Sequence, residues 1–266
     1  MLPPPFVRLD LRFSAAALLH EARALERDHW NSHFNSDYHD GGWQGIALRA
    51  IEGDVSRLYS DPSRRTEVAD TPLLASCPAI HAVLGEFQCA LRDVRLLRLA
   101  PGSFIREHRD DDLQFSEGEA RLHIPLVTHP LVEFYVDGAR VLMQAGECWY
   151  LDLSRPHRVR NASPVERIHL VIDCEVNNWL REQITRGDVP VRAPIAASGY
   201  DQFVAFRERV WSDLALEQRL IAATDREAFV RDVVMLGAAQ GFDFSPIDVE
   251  SEMTRGRQSW LSQWMV

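Results

Sequence analysis

The sequence predicts a β-rich α+β protein. Its centre is a double-stranded β-helix, a jelly roll of cupin-like kind, with N-terminal flanking helices and a small C-terminal α-helical domain. Three observations carry this. Between about residues 92 and 175 the chain reads as roughly eight short strands, with Gly102, Gly138 and Gly146 falling between them. Helical periodicity is confined to the two flanks. The stretch "ITRGDVPVRAPIAASGY" has neither period and reads as a linker, which divides the chain into residues 1–195 and 200–266.

Taken in order, "SAAALLHEARALERDHW" repeats apolar residues at helical spacing, with Ser14 as its N-cap. A Gly-Gly turn follows, and "WQGIALRAI" reads as a strand. "DPSRRTEVADTPLLASCP" is a loop punctuated by three prolines, and "AIHAVLGEFQC" is a short helix. The strands are then "VRLLRLAP", "IREHRD", "ARLHIPLVT", "VEFYVDG", "ARVLMQ", "ECWYLDL", "HRVRNAS" and "RIHLVIDCE", with Asp137-Gly138 marking a tight hairpin. Past the linker, "YDQFVAFRERVWSDLALEQRLIAA" is helical. "TDREAFVRDVVMLGAAQG" opens with a Thr224/Glu227 capping box and closes at Gly241. Ser245 and Pro246 begin a last helix, with Asp248 at its third position.

With 266 residues, 46% of them hydrophobic, the chain supports one sizeable core plus a small satellite. A net charge of -10 argues against binding phosphate backbones, so no nucleic-acid partner is expected. No apolar run approaches the roughly 20 residues that span a bilayer. The N-terminus lacks a basic region followed by an apolar one, so no secretory signal is expected. Four widely spaced cysteines without a C-x-x-C pair fit reduced thiols and a cytoplasmic protein.

The chemistry concentrates in a few side chains. In "SFIREHRDDDL" His108 and Asp110 are two residues apart, which on a strand turns both to one face. Alone, the triplet is equally an ordinary charged turn. Downstream, "GECWYLDLSRPHRVRN" supplies His157 behind Arg155-Pro156, with enough chain between for a return across the barrel. Two histidines and one carboxylate with open positions form the facial triad of non-haem Fe(II) oxygenases. Arg167 stands on the strand "ERIHLVIDC", whose inward side otherwise reads as apolar, and a buried guanidinium there needs an anion. It suits the far carboxylate of 2-oxoglutarate; a surface ion pair with Glu166 or Asp173 is the alternative. Arg121 and His123 in "ARLHIPLV" share a face with Pro125, and either would hold a carboxylate of cosubstrate or substrate.

These blocks resemble the aspartyl/asparaginyl β-hydroxylase family, which includes bacterial proline cis-4-hydroxylases. The resemblance runs through "LLRLAPGSFIREHRD", "RLHIPLV", "GECWYLDLSRPHRV" and "RIHLVID", with weaker similarity in "GGWQGIALR" and "DTPLLASCP". It implies a jelly roll using Fe(II), 2-oxoglutarate and O₂ to hydroxylate an amino acid or peptidyl residue, with release of succinate and CO₂. The matching positions make His108, Asp110 and His157 the iron ligands and Arg167 the 2-oxoglutarate anchor, with Arg121 and His123 in the active site. Arg121, Trp43 and Arg49 are candidate substrate contacts. The animal peptide hydroxylase of this family lacks the carboxylate at the position of Asp110, whereas this chain keeps the full triad. Two other readings of the same residues remain. One is a cupin-like metalloenzyme that does not use 2-oxoglutarate, and the other is a non-catalytic module that binds a metal or 2-oxo acid.

The stretch "DREAFVRDVVMLGAAQGFDFSPIDVESEM" resembles a leader-peptide domain of the nitrogen-fixation-cluster type. In that family the domain is the part of a precursor peptide read by modifying enzymes; here the readings are docking of a peptide substrate or protein partner, a cap on the barrel, or a dimer contact, and the tail "SWLSQWMV" adds two tryptophans that favour a contact surface.

Overall fold

The computed structural model describes residues 2–25, 29–32, 39, 41–58, 66–110, 113–190, 199–221, 223 and 225–255. Thr224, residues 191–198 of the linker and the two tail tryptophans lie outside them. The chain forms two compact units, Met1–Val191 and Arg192–Val266.

The first unit holds the strands β1 (Phe6–Arg12), β2 (Asn31–Ser32), β3 (Trp43–Ile51), β4 (Val68–Asp70), β5 (Leu91–Leu99) and β6 (Phe104–His108). It continues with β7 (Glu119–Val127), β8 (Val132–Val136), β9 (Ala139–Arg140), β10 (Glu147–Leu151), β11 (His157–Asn161) and β12 (Arg167–Glu175). Its helices are α1 (Ala15–Ala24), α2 (Pro78–Leu84) and α3 (Asn178–Arg186). The strands make a larger antiparallel sheet in the order β1-β10-β7-β12-β5-β3-β2, with β4 also on β3, and a smaller one in the order β6-β11-β8-β9. This is the jelly roll that the strand pattern predicts.

Alternation along each strand divides the core in two. On β12, Ile168, Leu170, Ile172 and Cys174 join Val94 and Leu96 of β5, Leu122 and Ile124 of β7, and Leu18, Ile80 and Leu180 of the helices. This face of the larger sheet is therefore sealed by α1, α2 and α3. The opposite face puts Trp43, Leu97, Leu99, Trp149, Leu151 and Val171 against Ile105, Phe134, Val136 and Val159 of the smaller sheet. Arg167, His169 and Asp173 alternate with Val171 on that second face, inside the sandwich.

Local chemistry explains the boundaries. Ser14 caps α1 by accepting from the Ala17 N–H. Asp137 and Gly138 both have positive φ, 51° and 71°, the backbone of a type I′ hairpin between β8 and β9. The sequence reading missed β1, β2, β4 and α3. β1 follows a proline run and pairs with β10 at the sheet edge, and β4 has only three residues inside what reads as a loop. α3 is capped by Asn177, whose side chain accepts from the Leu180 N–H, and runs into the expected linker.

The second unit holds α4 (Gly199–Ser212), α5 (Leu214–Ile221), α6 (Arg226–Ala239) and α7 (Pro246–Arg255). The first helical stretch breaks at Asp213, which accepts from the N–H groups of Ala215 and Leu216 and so caps α5. The N-cap of α6 is Asp225, accepting from Ala228, one residue later than the expected box. At its other end, Phe242 N–H bonds the Gly237 carbonyl and Gly241 N–H bonds that of Ala238, with Gly241 at φ 86°. That is a Schellman motif. At α7 the Asp248 carboxylate accepts from both the backbone N–H and the hydroxyl of Ser245. Phe203, Phe206, Val233, Leu236 and Phe244 form this unit's own core.

Candidate metal centre and its anion pocket

β6 and β11 lie side by side in the smaller sheet, with His157 directly opposite His108. The imidazole centroids are 4.1 Å apart. β6 ends at His108, so Asp110 is not on the strand; its loop position is fixed by its own N–H bonding the Leu153 carbonyl at 2.9 Å. Asp110 Oδ1 comes within 3.5 Å of His108 Nε2. One ligand atom from each of His108, Asp110 and His157 lies within 4.8 Å of the others.

The tautomers follow from the hydrogen bonds. Nδ1 of His108 is 2.7 Å from the Arg106 carbonyl, and Nδ1 of His157 is 3.0 Å from that of Arg155. A carbonyl only accepts, so each Nδ1 carries the proton and each Nε2 keeps its lone pair. Burial pushes the His157 pKa down to about 4, against the pull of Asp110. At neutral pH His157 is therefore an uncharged donor. Two imidazole nitrogens and one carboxylate oxygen make a donor set suited to Fe(II), with part of the coordination sphere open.

Arg121 braces the carboxylate. Its Nη1 is 2.6 Å from Asp110 Oδ2, while Nε and Nη2 grip the two oxygens of Asp173 at 2.6 and 2.9 Å. The sequence reading gave Arg121 a carboxylate of cosubstrate or substrate; in the structure it meets two carboxylates of the protein itself. Asp173 also bonds Arg95, which is buried and donates its other Nη to the Leu58 carbonyl.

Arg167 is the opposite case. It is 2% exposed and, among the described residues, has no carboxylate partner. One Nη donates to His169 Nδ1 at 3.0 Å, and its Nε is buried without a partner. The Glu166 alternative fails because Glu166 pairs with Arg23 and Arg98. Burial alone drives the Arg167 pKa below the ordinary guanidinium range. Because the arginine donates, His169 Nδ1 accepts, and His169 carries its proton on Nε2. His123 Nδ1 lies 3.1 Å from the same atom and so donates to it. Among the described residues His123 Nε2 is left as a bare acceptor and His169 Nε2 as an unmet donor, both buried. Phe134 of the smaller sheet covers this group, 5.6 Å from both the His123 ring and the Arg167 guanidinium carbon.

Trp43 belongs to the same interior cluster and faces Leu99, the residue that Arg167 faces from the other side. Its ring meets His39 edge-on at 5.7 Å. Arg49 is elsewhere: its guanidinium bonds Asp70 and the carbonyls of Val68 and Leu91, tying β4 to β3. The pocket-closing role expected of Arg49 is replaced by this clamp, because a bulge between Ala47 and Arg49 shifts its register. The sequence reading passed over Arg95, His169 and Asp173 as site residues. For His169 and Asp173 the signal was present: they follow Arg167 at even spacing, and so share its face.

A jelly roll holding two histidines and one carboxylate between its sheets defines a class of metal-binding β-sandwich. The chain belongs within it to the aspartyl/asparaginyl beta-hydroxylase family, whose model matches residues 12–176, more than half of the protein. The chain is 28% identical over 187 residues to L-proline cis-4-hydroxylase of Rhizobium meliloti, covering 68% of this chain and 64% of that one. It is also 28% identical over 211 residues to L-proline cis-3-hydroxylase 1 of a Streptomyces species, covering 75% and 69%. A similar solved structure is an oxidoreductase of the 2OG-Fe(II) oxygenase family from Burkholderia pseudomallei, with TM-score 0.42, 17% identity, and 60% and 79% coverage. The family match ends before the helical unit.

Proposed function

We propose that the chain is an Fe(II)- and 2-oxoglutarate-dependent dioxygenase that hydroxylates a C–H bond of an amino acid or peptidyl residue. The observation that carries this is Arg167: a buried guanidinium with no carboxylate among the described residues, on the inner sheet face that also bears the brace of Asp110. An isolated buried charge is costly. A dicarboxylate that reaches from the metal to Arg167 supplies the missing counter-charge through a bidentate pair. A cupin-like metalloenzyme that dispenses with 2-oxoglutarate has no use for that arginine. Membership of the family, and two relatives named as L-proline hydroxylases, support the same reading.

His108, Asp110 and His157 would hold the iron, which with 2-oxoglutarate supplies the activation of O₂ and leaves succinate and CO₂. The protein's own work is placement. The Arg106 and Arg155 carbonyls fix which imidazole nitrogens point at the metal. Arg121 holds one oxygen of Asp110 and leaves the other for the ion. Arg167 receives the far carboxylate, steadied by His169, with His123 beside it. Trp149, Phe134 and Leu99 exclude water from this interior. The four cysteines are free, which supports a reducing compartment such as the cytoplasm. Among the described residues no helix is long and apolar enough to cross a membrane.

The test is to incubate Fe(II)-loaded protein with 2-oxoglutarate and a panel of amino acids and peptides. The expected result is a product heavier by one oxygen, with stoichiometric succinate. A turnover rate indifferent to 2-oxoglutarate would favour the cupin-like reading. Binding of 2-oxoglutarate without any turnover would favour a non-catalytic module.

A further inference from the structure

Arg95, Arg121 and Arg167 stand on the inner face of the larger sheet, and among the described residues Arg95 and Arg121 pair with carboxylates whereas Arg167 does not. Arg95 and Arg121 come from β5 and β7, the two strands that flank β12, and Asp173 lies on β12 between them. Its carboxylate takes Nε and Nη2 of Arg121 and an Nη of Arg95. Arg121's remaining Nη goes to Asp110. Asp173 is 1% exposed and Arg95 4%. A third carboxylate, Asp93 at 2% exposure, also acts on Arg121. Two guanidinium groups thus face three carboxylates before any ligand arrives.

We propose that Asp173 is a specificity-determining residue. Its carboxylate fills the arginine pair from within, and the site accordingly takes a residue whose own carboxylate is masked as an amide, as inside a peptide, in preference to the free amino acid. This rests on the reading of the site given above. A free amino acid carries a carboxylate that must lose water on entering the sandwich, and a desolvated anion requires a cation. Arg167 is committed to the cosubstrate. Arg95 and Arg121 already hold carboxylates of the protein, and another anion beside Asp173 and Asp110 places like charges together at low dielectric. A peptide carbonyl is neutral and asks only for a hydrogen-bond donor.

The experiment uses the full chain and offers each of a set of residues in three forms: free amino acid, N-acetyl amino-acid amide, and the centre of a short peptide blocked at both ends. Binding to protein loaded with Mn(II) and 2-oxoglutarate is measured by calorimetry, and oxygen incorporation is measured separately with Fe(II). The expected outcome is that at least one blocked form binds and is hydroxylated at least about tenfold better than its free counterpart, about 1.4 kcal/mol. Asp173→Asn, which releases the arginine pair, should narrow or reverse that ratio. Should that variant not fold, the three-form comparison on the unaltered chain still decides. A free amino acid preferred over its blocked forms, or blocked residues that never bind a protein already holding 2-oxoglutarate, overturns the inference. Failure of 2-oxoglutarate itself to bind would instead remove the reading of the site.

Discussion

Arg121 holds Asp110 by a single 2.6 Å hydrogen bond, while its other edge is clamped by both oxygens of Asp173. The fork therefore cannot swing, and the Asp110 oxygen it grips is fixed relative to β12 at the centre of the sheet. Arg121→Lys keeps a positive charge and loses the two-sided geometry. The expected effect is a loss of roughly tenfold in affinity for Mn(II), in the range seen when partners of metal ligands are altered. Equilibrium titration followed by electron paramagnetic resonance measures it. Unchanged affinity would mean that the backbone bond to Leu153 alone positions Asp110.

Removing a ligand atom should be more severe than removing its brace. His108→Ala, Asp110→Ala and His157→Ala each delete one of three atoms that converge within 4.8 Å. Each variant is expected to lose bound metal and to release succinate at least about a hundredfold more slowly, since among the described residues the cluster has only these three donors. Metal content and succinate are read on the same samples. A variant that keeps full activity takes its residue out of the ligand set.

Arg167 couples function to stability with opposite signs. Its charge is buried with no carboxylate among the described residues, which destabilises the ligand-free protein. Arg167→Met fills a similar volume without the charge. The expected result is a higher melting temperature in the absence of 2-oxoglutarate, together with loss of the further rise that 2-oxoglutarate gives the unaltered protein. The cosubstrate requirement should increase by roughly 10- to 100-fold, the worth of a charge-assisted pair of about 1.5–3 kcal/mol. A melting temperature that falls in the ligand-free variant would show that the guanidinium has a structural partner after all.

The buried imidazoles give a pH dependence whose sign is fixed. Burial pushes His123 and His169 well below the ordinary histidine pKa, and the Arg167 charge pushes them further in the same direction. In the unfolded chain both protonate near about 6.5. Below that pH the unfolded state binds more protons than the folded one, so stability is full above it and declines as pH falls. Each histidine contributes up to about 1.4 kcal/mol of loss per pH unit in that window. His169→Gln should make the decline between pH 6.5 and 5.5 shallower, measured by urea unfolding at each pH. An equal slope in the variant would mean that His169 is protonated in the fold.

The strands of the sandwich were legible because burial on both faces writes long apolar runs, as in "RIHLVIDCE", and because turns are marked by residues such as Asp137-Gly138. His108, Asp110, His157 and Arg167 were marked as candidates by residue type and motif, although Asp110 reaches His108 from a loop beyond β6 and not from a shared strand face. What sequence could not supply is which charges meet. Arg95, Arg121 and Asp173 come from three strands whose adjacency is set by the order β7-β12-β5, and no local pattern states that order. Arg121 therefore looked available to a ligand although Asp173 already holds it. Arg49 was misplaced for a similar reason: a one-residue bulge moves a side chain across the sheet without altering the apolar pattern around it.

The helical unit offers a test of whether it folds on its own account. Gly237 lies in the last turn of α6, and a Cβ there would come within 2.2 Å of the Phe244 ring. That ring is held by Phe203 and Phe206, with centroids 5.3 and 5.4 Å away, so it has little room to retreat. Two effects oppose each other in Gly237→Ala. Helix propensity favours alanine by about 1 kcal/mol, whereas overpacking a filled core costs about 1–3 kcal/mol. Contact at this range puts the second effect ahead, and the unit should lose about 1 kcal/mol net. Because the residues packed around Phe244 belong to a core distinct from those of the sandwich, the loss should appear as an earlier transition in calorimetry, with Mn(II) affinity unchanged. A single transition shifted as a whole, with weakened metal binding, would show that the two units unfold as one.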